Sequence, residues 1–335
     1  MYKVGLARGD KSYDAVKRAL DLVREEVKVP GDRPVLIKPN MVVPNVELCA
    51  TPVGAVYATL EFLAELGVKK FIVAEGTGEA EGDTMGGFQR YGYPSLKDHF
   101  DVEFRNLHED DKVVLEAVNA DLMPVEIRLA RSLLTSYVVS VAKMKTHMRV
   151  VVTLALKNIG IAAIHNPDRH AATWHTIERA KFSHDPRPIN ISLARLGQVL
   201  PIHLAVVDGV VGMEGNGPVK GTPMKSGMAL AGTDALAVDL VGAELMGFDP
   251  RTIGYLWYLS QLRKISREDV LVEGEDPGKC VTRYRPCDKM QEILAWWVPE
   301  WQKYFQSTYL NESSTKKTVY ASQPPTRLIE GERRS

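Results

Sequence analysis

Residues 35–78 read VLIKPNMVVPNVELCATPVGAVYATLEFLAELGVKKFIVAEGTG. Val35-Leu36-Ile37 is an apolar run of strand length that closes at Lys38-Pro39-Asn40. Thr51 then reads as an N-cap, with Pro52 in the first turn of a helix. That helix runs to Leu66, where Gly67 stops it. Phe71-Ile72-Val73-Ala74 follows as a second apolar run and ends at Glu75-Gly76-Thr77-Gly78. A strand, a crossover helix and a strand form a βαβ unit, whose strands pair in parallel. The sequence therefore predicts an α/β fold: mostly parallel sheets with flanking helices.

Outward from that unit the pattern repeats. Asp14 to Glu26 has helical spacing, with Val16, Leu20 and Val23 on one face. Met1 to Gly5, Tyr137 to Ala142, His203 to Val207 and Met228 to Ala231 read as strands. Asp234 to Met246 reads as a helix punctuated by Gly247 and Pro250, and Asp276 to Asp288 as loop. A chain of 335 residues, at roughly 150 per domain, predicts about two lobes. We place them at 1–195 and 196–305 with a cleft between, followed by a polar tail over 306–335.

Composition narrows the function. Lys plus Arg is 42 and Asp plus Glu is 42, a net charge of zero. That lacks the basic excess of an electrostatically driven nucleic-acid binder, so no nucleic-acid partner is expected. There are 3 cysteines and no C-x-x-C, so no intrinsic iron–sulfur cluster or zinc ribbon is expected. No window approaches about 18 uninterrupted apolar residues, so no membrane span is expected either. A cytoplasmic protein with reduced thiols is the expectation.

Open parallel sheets bind ligands outside the carboxyl ends of their strands. Those ends here supply Lys38 and Asn40, then Glu75, then Lys143, Lys145, Thr146 and His147, then Asp208, and finally Asp234. Loops are polar in any fold, but lysines, a histidine and acids on one rim predict a cationic pocket for a small anionic ligand. Lys157 stands in the apolar stretch Val150 to Ile164. It must snorkel to water, pair with an acid, or carry a depressed pKa, which makes a nucleophilic amine. His147 precedes it by ten residues, about 15 Å along a continuous helix, so a shared site requires the chain to turn between them. Asp208 would orient a base or ligate a metal. Residues 209–221 hold five glycines, including Gly215 and Gly217 beside Glu214 and Asn216. They read either as an anion-cradling loop or as a conformational bend. They match neither G-x-x-x-x-G-K-[ST] nor G-x-G-x-x-G. His170 and His175 are the candidate metal ligands, since neutral imidazole suits transition metals.

Lys38-Pro39-Asn40, Lys143-Met144-Lys145-Thr146-His147, Lys157-Asn158, Asp208-Gly209 with Gly215-Asn216-Gly217-Pro218, and Asp234 to Asp239 together resemble the domain of unknown function 362 family. The resemblance implies an uncharacterised protein of a kind often tied to iron–sulfur modules, which this sequence lacks. A weaker similarity, to nickel-pincer lactate racemases, rests on the ten-residue step from His147 to Lys157. It implies Lys157 as a cofactor-attachment lysine and His147 as an acid/base residue. Val152 to Leu156 replaces the glycine-rich run of that family, and no histidine stands at the spacing of its later metal ligand.

The function expected is an enzyme acting on a small anionic organic substrate by proton or hydride chemistry, of oxidoreductase or racemase type. His147, Lys157 and Asp208 are the catalytic candidates. Lys38, Asn40, Glu75, Lys143, Lys145, Asn158, Glu214, Gly215, Asn216, Gly217 and Asp234 are the cofactor-binding ones, for a nucleotide-derived cofactor or a transition metal. The alternative is a non-catalytic nucleotide-binding or redox-partner subunit that docks to an iron–sulfur protein.

Overall fold

A computed structural model describes residues 1–78, 84–162, 164, 183–306 and 310–311. The parallel unit forms as its sequence dictates. Strand β2 (Val35–Pro39) and strand β3 (Lys70–Glu75) pair in parallel, Val35 opposite Phe71, and helix α2 (Val53–Glu65) crosses between them. Gly67 adopts a φ of +97° just beyond the helix, a left-handed stop that favours glycine. Thr51 does not cap α2 as its sequence suggests. Pro52 holds the N-cap position, and the Thr51 hydroxyl accepts from the Asn40 amide at 2.9 Å and donates to the Val141 carbonyl at 2.7 Å. It pins the end of β2 to the neighbouring strand instead.

Eight further strands extend this sheet. Strand β1 (Tyr2–Arg8) leads into helix α1 (Ser12–Leu22), and helix α3 (Thr84–Arg90) precedes strand β4 (Asp101–Asn106). Strands β5 (Lys112–Val118) and β6 (Pro124–Ala130) form a separate antiparallel pair, followed by the single turn α4 (Ser132–Thr135). Strand β7 (Tyr137–His147) returns to the main sheet beside β2. Short strand β8 (Val151–Thr153) folds back on β7 and runs into helix α5 (Ala155–Ala162).

Helix α6 (Pro186–Val199), strand β9 (Leu204–Asn216), strand β10 (Lys220–Met224), strand β11 (Met228–Gly232), helix α7 (Ala235–Leu245), helix α8 (Gly254–Arg263) and strand β12 (Val270–Gly274) complete the frame. Strand β13 (Leu310–Asn311) adds to β5. The main sheet has the order β12-β1-β11-β9-β7-β2-β3-β4, with β8 on β7 and β10 on β9. All eight strands of that order are parallel except β11, which is antiparallel to both β1 and β9. The position between residues 195 and 196 falls inside α6, and β7 and β9 from either side of it are hydrogen-bonded neighbours.

Helices cover both faces. On one, α1 and α2 bury Val16, Leu20, Val56 and Leu63 against Ile37, Val139 and Val206. On the other, α5, α6 and α7 bury Ile159, Leu193 and Leu236 against Leu36, Val138 and Val207. β7 is consequently buried at every one of its 11 positions, and its sequence reads as a continuous run rather than an alternation. The carboxyl ends of β1, β2, β3, β7 and β9 meet on one rim of this three-layer frame. Among the described residues no helix is long and apolar enough to cross a membrane.

Candidate functional site

The rim holds ionisable side chains that burial would ordinarily exclude. On the α5 face, Lys38 at the end of β2 has no exposed surface. Its Nζ donates to both Glu75 carboxylate oxygens at 2.9 and 2.8 Å, to the Pro39 carbonyl at 2.9 Å and to Asn158 Oδ1 at 3.1 Å. Burial pulls the Lys38 ammonium down and pushes the Glu75 carboxyl up, while their mutual attraction opposes both shifts. Asn158, on the first turn of α5, donates through Nδ2 to the Lys38 carbonyl and to Ser140 Oγ, each at 3.1 Å. Its Oδ1 also accepts from Asn40 Nδ2 at 3.1 Å. The two amides therefore fix each other's orientation, and Asn40 Oδ1 is left buried with no hydrogen-bond partner among the described residues.

On the α1 face, Lys143 and Asp208 stand in register on neighbouring strands. Lys143 Nζ lies 3.4 Å from Asp208 Oδ2, and Ser12 at the start of α1 donates to Oδ1 at 3.1 Å. Lys145, two residues on, is also without exposed surface. Its Nζ donates to the Cys49 carbonyl at 2.8 Å, and it makes no ion pair among the described residues. Burial lowers its pKa to about 7; Cys49 and Glu75 oppose the shift, and the like charges of Lys143 and Lys38 add to it. The rim thus buries three lysines (Lys38, Lys143, Lys145) beside two carboxylates (Glu75, Asp208).

Chain reversal brings His147 and Lys157 back towards each other. β7 ends at His147, the chain turns through Met148 to Val150, and β8 pairs antiparallel with Val151 opposite His147. The reversal requires Val151 to take a φ of +70°, a strained conformation for a β-branched residue. Asp239 of α7 then accepts from the Ala155 and Leu156 amides at 2.8 and 3.0 Å, fixing the start of α5. Among the described residues no charged group pairs with Asp239, and burial raises its carboxyl to about 8. His147 is buried, and desolvation with the charges of Lys157, His184, Lys145 and Arg149 lowers its pKa well below the usual range. Its Nδ1 accepts from the Arg149 amide at 3.1 Å. The neutral ring therefore carries its proton on Nε2. Lys157 itself is half-buried on α5.

The glycine-rich residues form a β-hairpin. Glu214 accepts from the Arg285 amide at 2.9 Å, and Asn216 exchanges two bonds with Asp288 at 2.6 and 3.0 Å. The Gly215 amide donates to the Arg285 carbonyl at 2.8 Å and the Gly217 amide to the Gly215 carbonyl at 2.9 Å. Two amides that an anion nest would use are thus already engaged. Gly217 is required by close approach, since a Cβ there would stand 2.1 Å from the Thr146 carbonyl oxygen. Thr146 in turn donates to the Gly215 carbonyl at 2.8 Å, binding the hairpin to the end of β7.

Asp234 is corrected by strand direction. β11 runs antiparallel, so its carboxyl end lies at the rim opposite the lysines. Asp234 caps α7, accepting from the Ala237 amide at 3.0 Å, and pairs with Arg263. His170 and His175 lie outside the described residues, among which no group of three or more metal-ligating side chains occurs. A cavity of about 720 Å³ lined by Phe248, Arg251, Trp257, Lys264 and Arg267 shares no residue with the rim. Sequence reading missed Ser12 and gave no role to Thr153 or to Asp239, the latter quoted only as the end of a motif. Only Asp239 carried a signal, as an acid at an otherwise apolar helix position.

A family model described as Domain of unknown function (DUF362) matches residues 35–244, well over half the chain. A thylakoid-associated protein of Synechocystis sp. (sll1697) is 30% identical over 230 residues, covering 67% of this chain and 66% of that protein. Among solved structures, the lactate racemase apoprotein of Thermoanaerobacterium thermosaccharolyticum overlaps 72% of this chain and 56% of its own, at 12% identity and a TM-score of 0.38. An overlap that weak carries no inference about chemistry.

Proposed function

We propose that this chain, which belongs to the DUF362 family, is an enzyme acting on a small anionic organic substrate by proton chemistry at the carboxyl rim of its parallel strands. One observation carries the proposal: three buried lysines face two buried carboxylates. Taking ions out of water is costly, and a stability role rarely repays it. Clusters of buried ionisable groups with perturbed pKa values concentrate at functional sites. The surplus cation is the charge that an anion would neutralise.

The roles follow from geometry. Lys145, the surplus lysine, supplies positive charge to the anion, with Lys157 and the Lys143–Asp208 pair beside it. Of the acid/base roles expected of His147, its hydrogen bonding favours the donor. With Nδ1 occupied, the neutral ring offers Nε2–H as a donor to a substrate oxygen that gains charge. The Lys38–Glu75 pair and Asn158 hold the floor of the rim rigid.

Titration calorimetry with a panel of small mono- and dicarboxylates and phosphate esters tests the proposal. Saturable binding to the wild type, weakened at least ~10-fold by Lys143→Met, is expected; ~10-fold corresponds to about 1.4 kcal/mol. Folded protein that binds none of them contradicts it and favours the redox-partner alternative.

A further inference from the structure

The three buried lysines are not equivalent. Lys38 contacts Glu75 and Lys143 contacts Asp208, so each amine is committed to a carboxylate. Lys145 touches a main-chain carbonyl and no carboxylate, and its two remaining amine hydrogens have no partner among the described residues. It lies directly opposite Thr153 in the β7–β8 ladder. Side chains opposite each other in an antiparallel pair leave the same face, with Cβ atoms about 5 Å apart. Thr153 Oγ1 is buried, in a residue only 2% exposed, and has no hydrogen-bond partner among the described residues. Asn40 Oδ1, buried in a residue 5% exposed, is the second orphan at this rim. The Asn40 carbonyl accepts from the Thr51 amide at 2.8 Å, two residues from the Cys49 carbonyl that Lys145 contacts. Buried polar groups are ordinarily satisfied, and an orphan hydroxyl opposite an uncommitted lysine marks a place for a ligand's own polar atoms.

We propose that Lys145 forms an imine with a carbonyl-bearing organic anion, an oxo acid, with Thr153 donating to the carbonyl oxygen. Resting on the anion-binding function above, this names both the substrate class and the residue that holds it. Lys145 Nζ bonds to the carbonyl carbon, and the carbon–oxygen bond breaks. The oxygen leaves as water with both hydrogens of the neutral amine. The imine then takes a proton from solvent, and the resulting iminium faces the ligand's own carboxylate. No oxidant or reductant is needed. An amine desolvated next to other cations is the environment that makes lysine nucleophilic at neutral pH. With its pKa lowered to about 7, Lys145 has on the order of 1,000-fold more neutral amine at pH 7 than an exposed lysine.

Borohydride trapping with pyruvate tests this on the full chain. Wild-type protein is incubated with pyruvate and sodium borohydride at neutral pH and mapped by peptide mass spectrometry. The reduced adduct is expected on the peptide holding Lys145, in large excess over exposed lysines. Pyruvate binding by calorimetry without an adduct at Lys145 overturns the imine while leaving the anion site standing. No binding and no adduct overturns both. Mapping of the wild type decides the matter even if Lys145→Met does not fold.

Discussion

Removing one member of the Lys38–Glu75 pair should cost more than removing both. Glu75→Leu takes away two hydrogen bonds from Lys38 Nζ, at 2.9 and 2.8 Å, and one from the Gly76 amide at 2.8 Å. It leaves an ammonium with no exposed surface beside only the Pro39 carbonyl and Asn158 Oδ1. Breaking a buried pair from one side costs about 3–5 kcal/mol. Lys38 can shed its proton and keep two acceptors, which places the loss at about 3 kcal/mol. At roughly 2 °C per kcal/mol for a chain of this size, Tm falls by about 6 °C. The double change Lys38→Met with Glu75→Leu removes both charges and fills the space with apolar volume. Asn158 Oδ1 still accepts from Asn40 Nδ2 there. The pair should therefore show a coupling of about 2 kcal/mol, with the double variant more stable than Glu75→Leu alone. Urea unfolding of the wild type and three variants measures it. A single-variant loss below about 1 kcal/mol, or strictly additive losses, would refute the electrostatic account of the rim.

Further outcomes follow from the other buried groups. Lys145 has a folded-state pKa lowered to about 7 from 10.5, so the unfolded chain binds more protons between those values. Stability should rise with pH across that window, and Lys145→Met should remove the rise in pH-dependent unfolding curves. Asp239 has the opposite sign. Its pKa is raised from 3.8 to about 8, so its contribution is complete below 3.8 and is lost as pH climbs through 8. Asp239→Asn should flatten that decline while losing about 1 kcal/mol for a hydrogen bond to α5; an unchanged slope would exclude the buried carboxyl as its source. Asp234→Ala should cost about 1 kcal/mol as a lost cap and leave anion binding unchanged, because it sits on the far rim. Gly217→Ala, whose Cβ meets the Thr146 carbonyl at 2.1 Å, should destabilise the hairpin by about 1–3 kcal/mol in the same assay.

Much of this frame was legible because its signals are local. The βαβ unit announces itself through two apolar runs, a Pro-initiated helix and Gly67. The lysines were legible for the same reason, since each stands directly after an apolar run. What escaped the sequence is non-local. Nothing within Met228 to Gly232 tells that β11 runs against its neighbours, so Asp234 was set on the wrong rim. The turn that returns Lys157 towards His147 depends on a left-handed valine at Val151, a conformation its side chain disfavours and no pattern reader would assign. The β5–β6 hairpin was missed although Lys112 to Val118 alternates in burial, because charged residues interrupt both strands. The partnering of lysines was equally hidden. Only tertiary contacts reveal that Lys38 and Lys143 are committed to carboxylates while Lys145 is not.

The central claim is that the rim carries one buried cation more than it has carboxylates, and that an organic anion answers it. Proton-linked calorimetry tests this most directly. Pyruvate is titrated into the protein just above neutral pH, in two buffers of different ionisation enthalpy, and the difference in heat counts protons exchanged. Because Lys145 is partly neutral there, binding should draw in a fraction of a proton, and Lys145→Met should abolish that uptake. Binding with no proton exchange, or uptake that survives in Lys145→Met, would contradict the account.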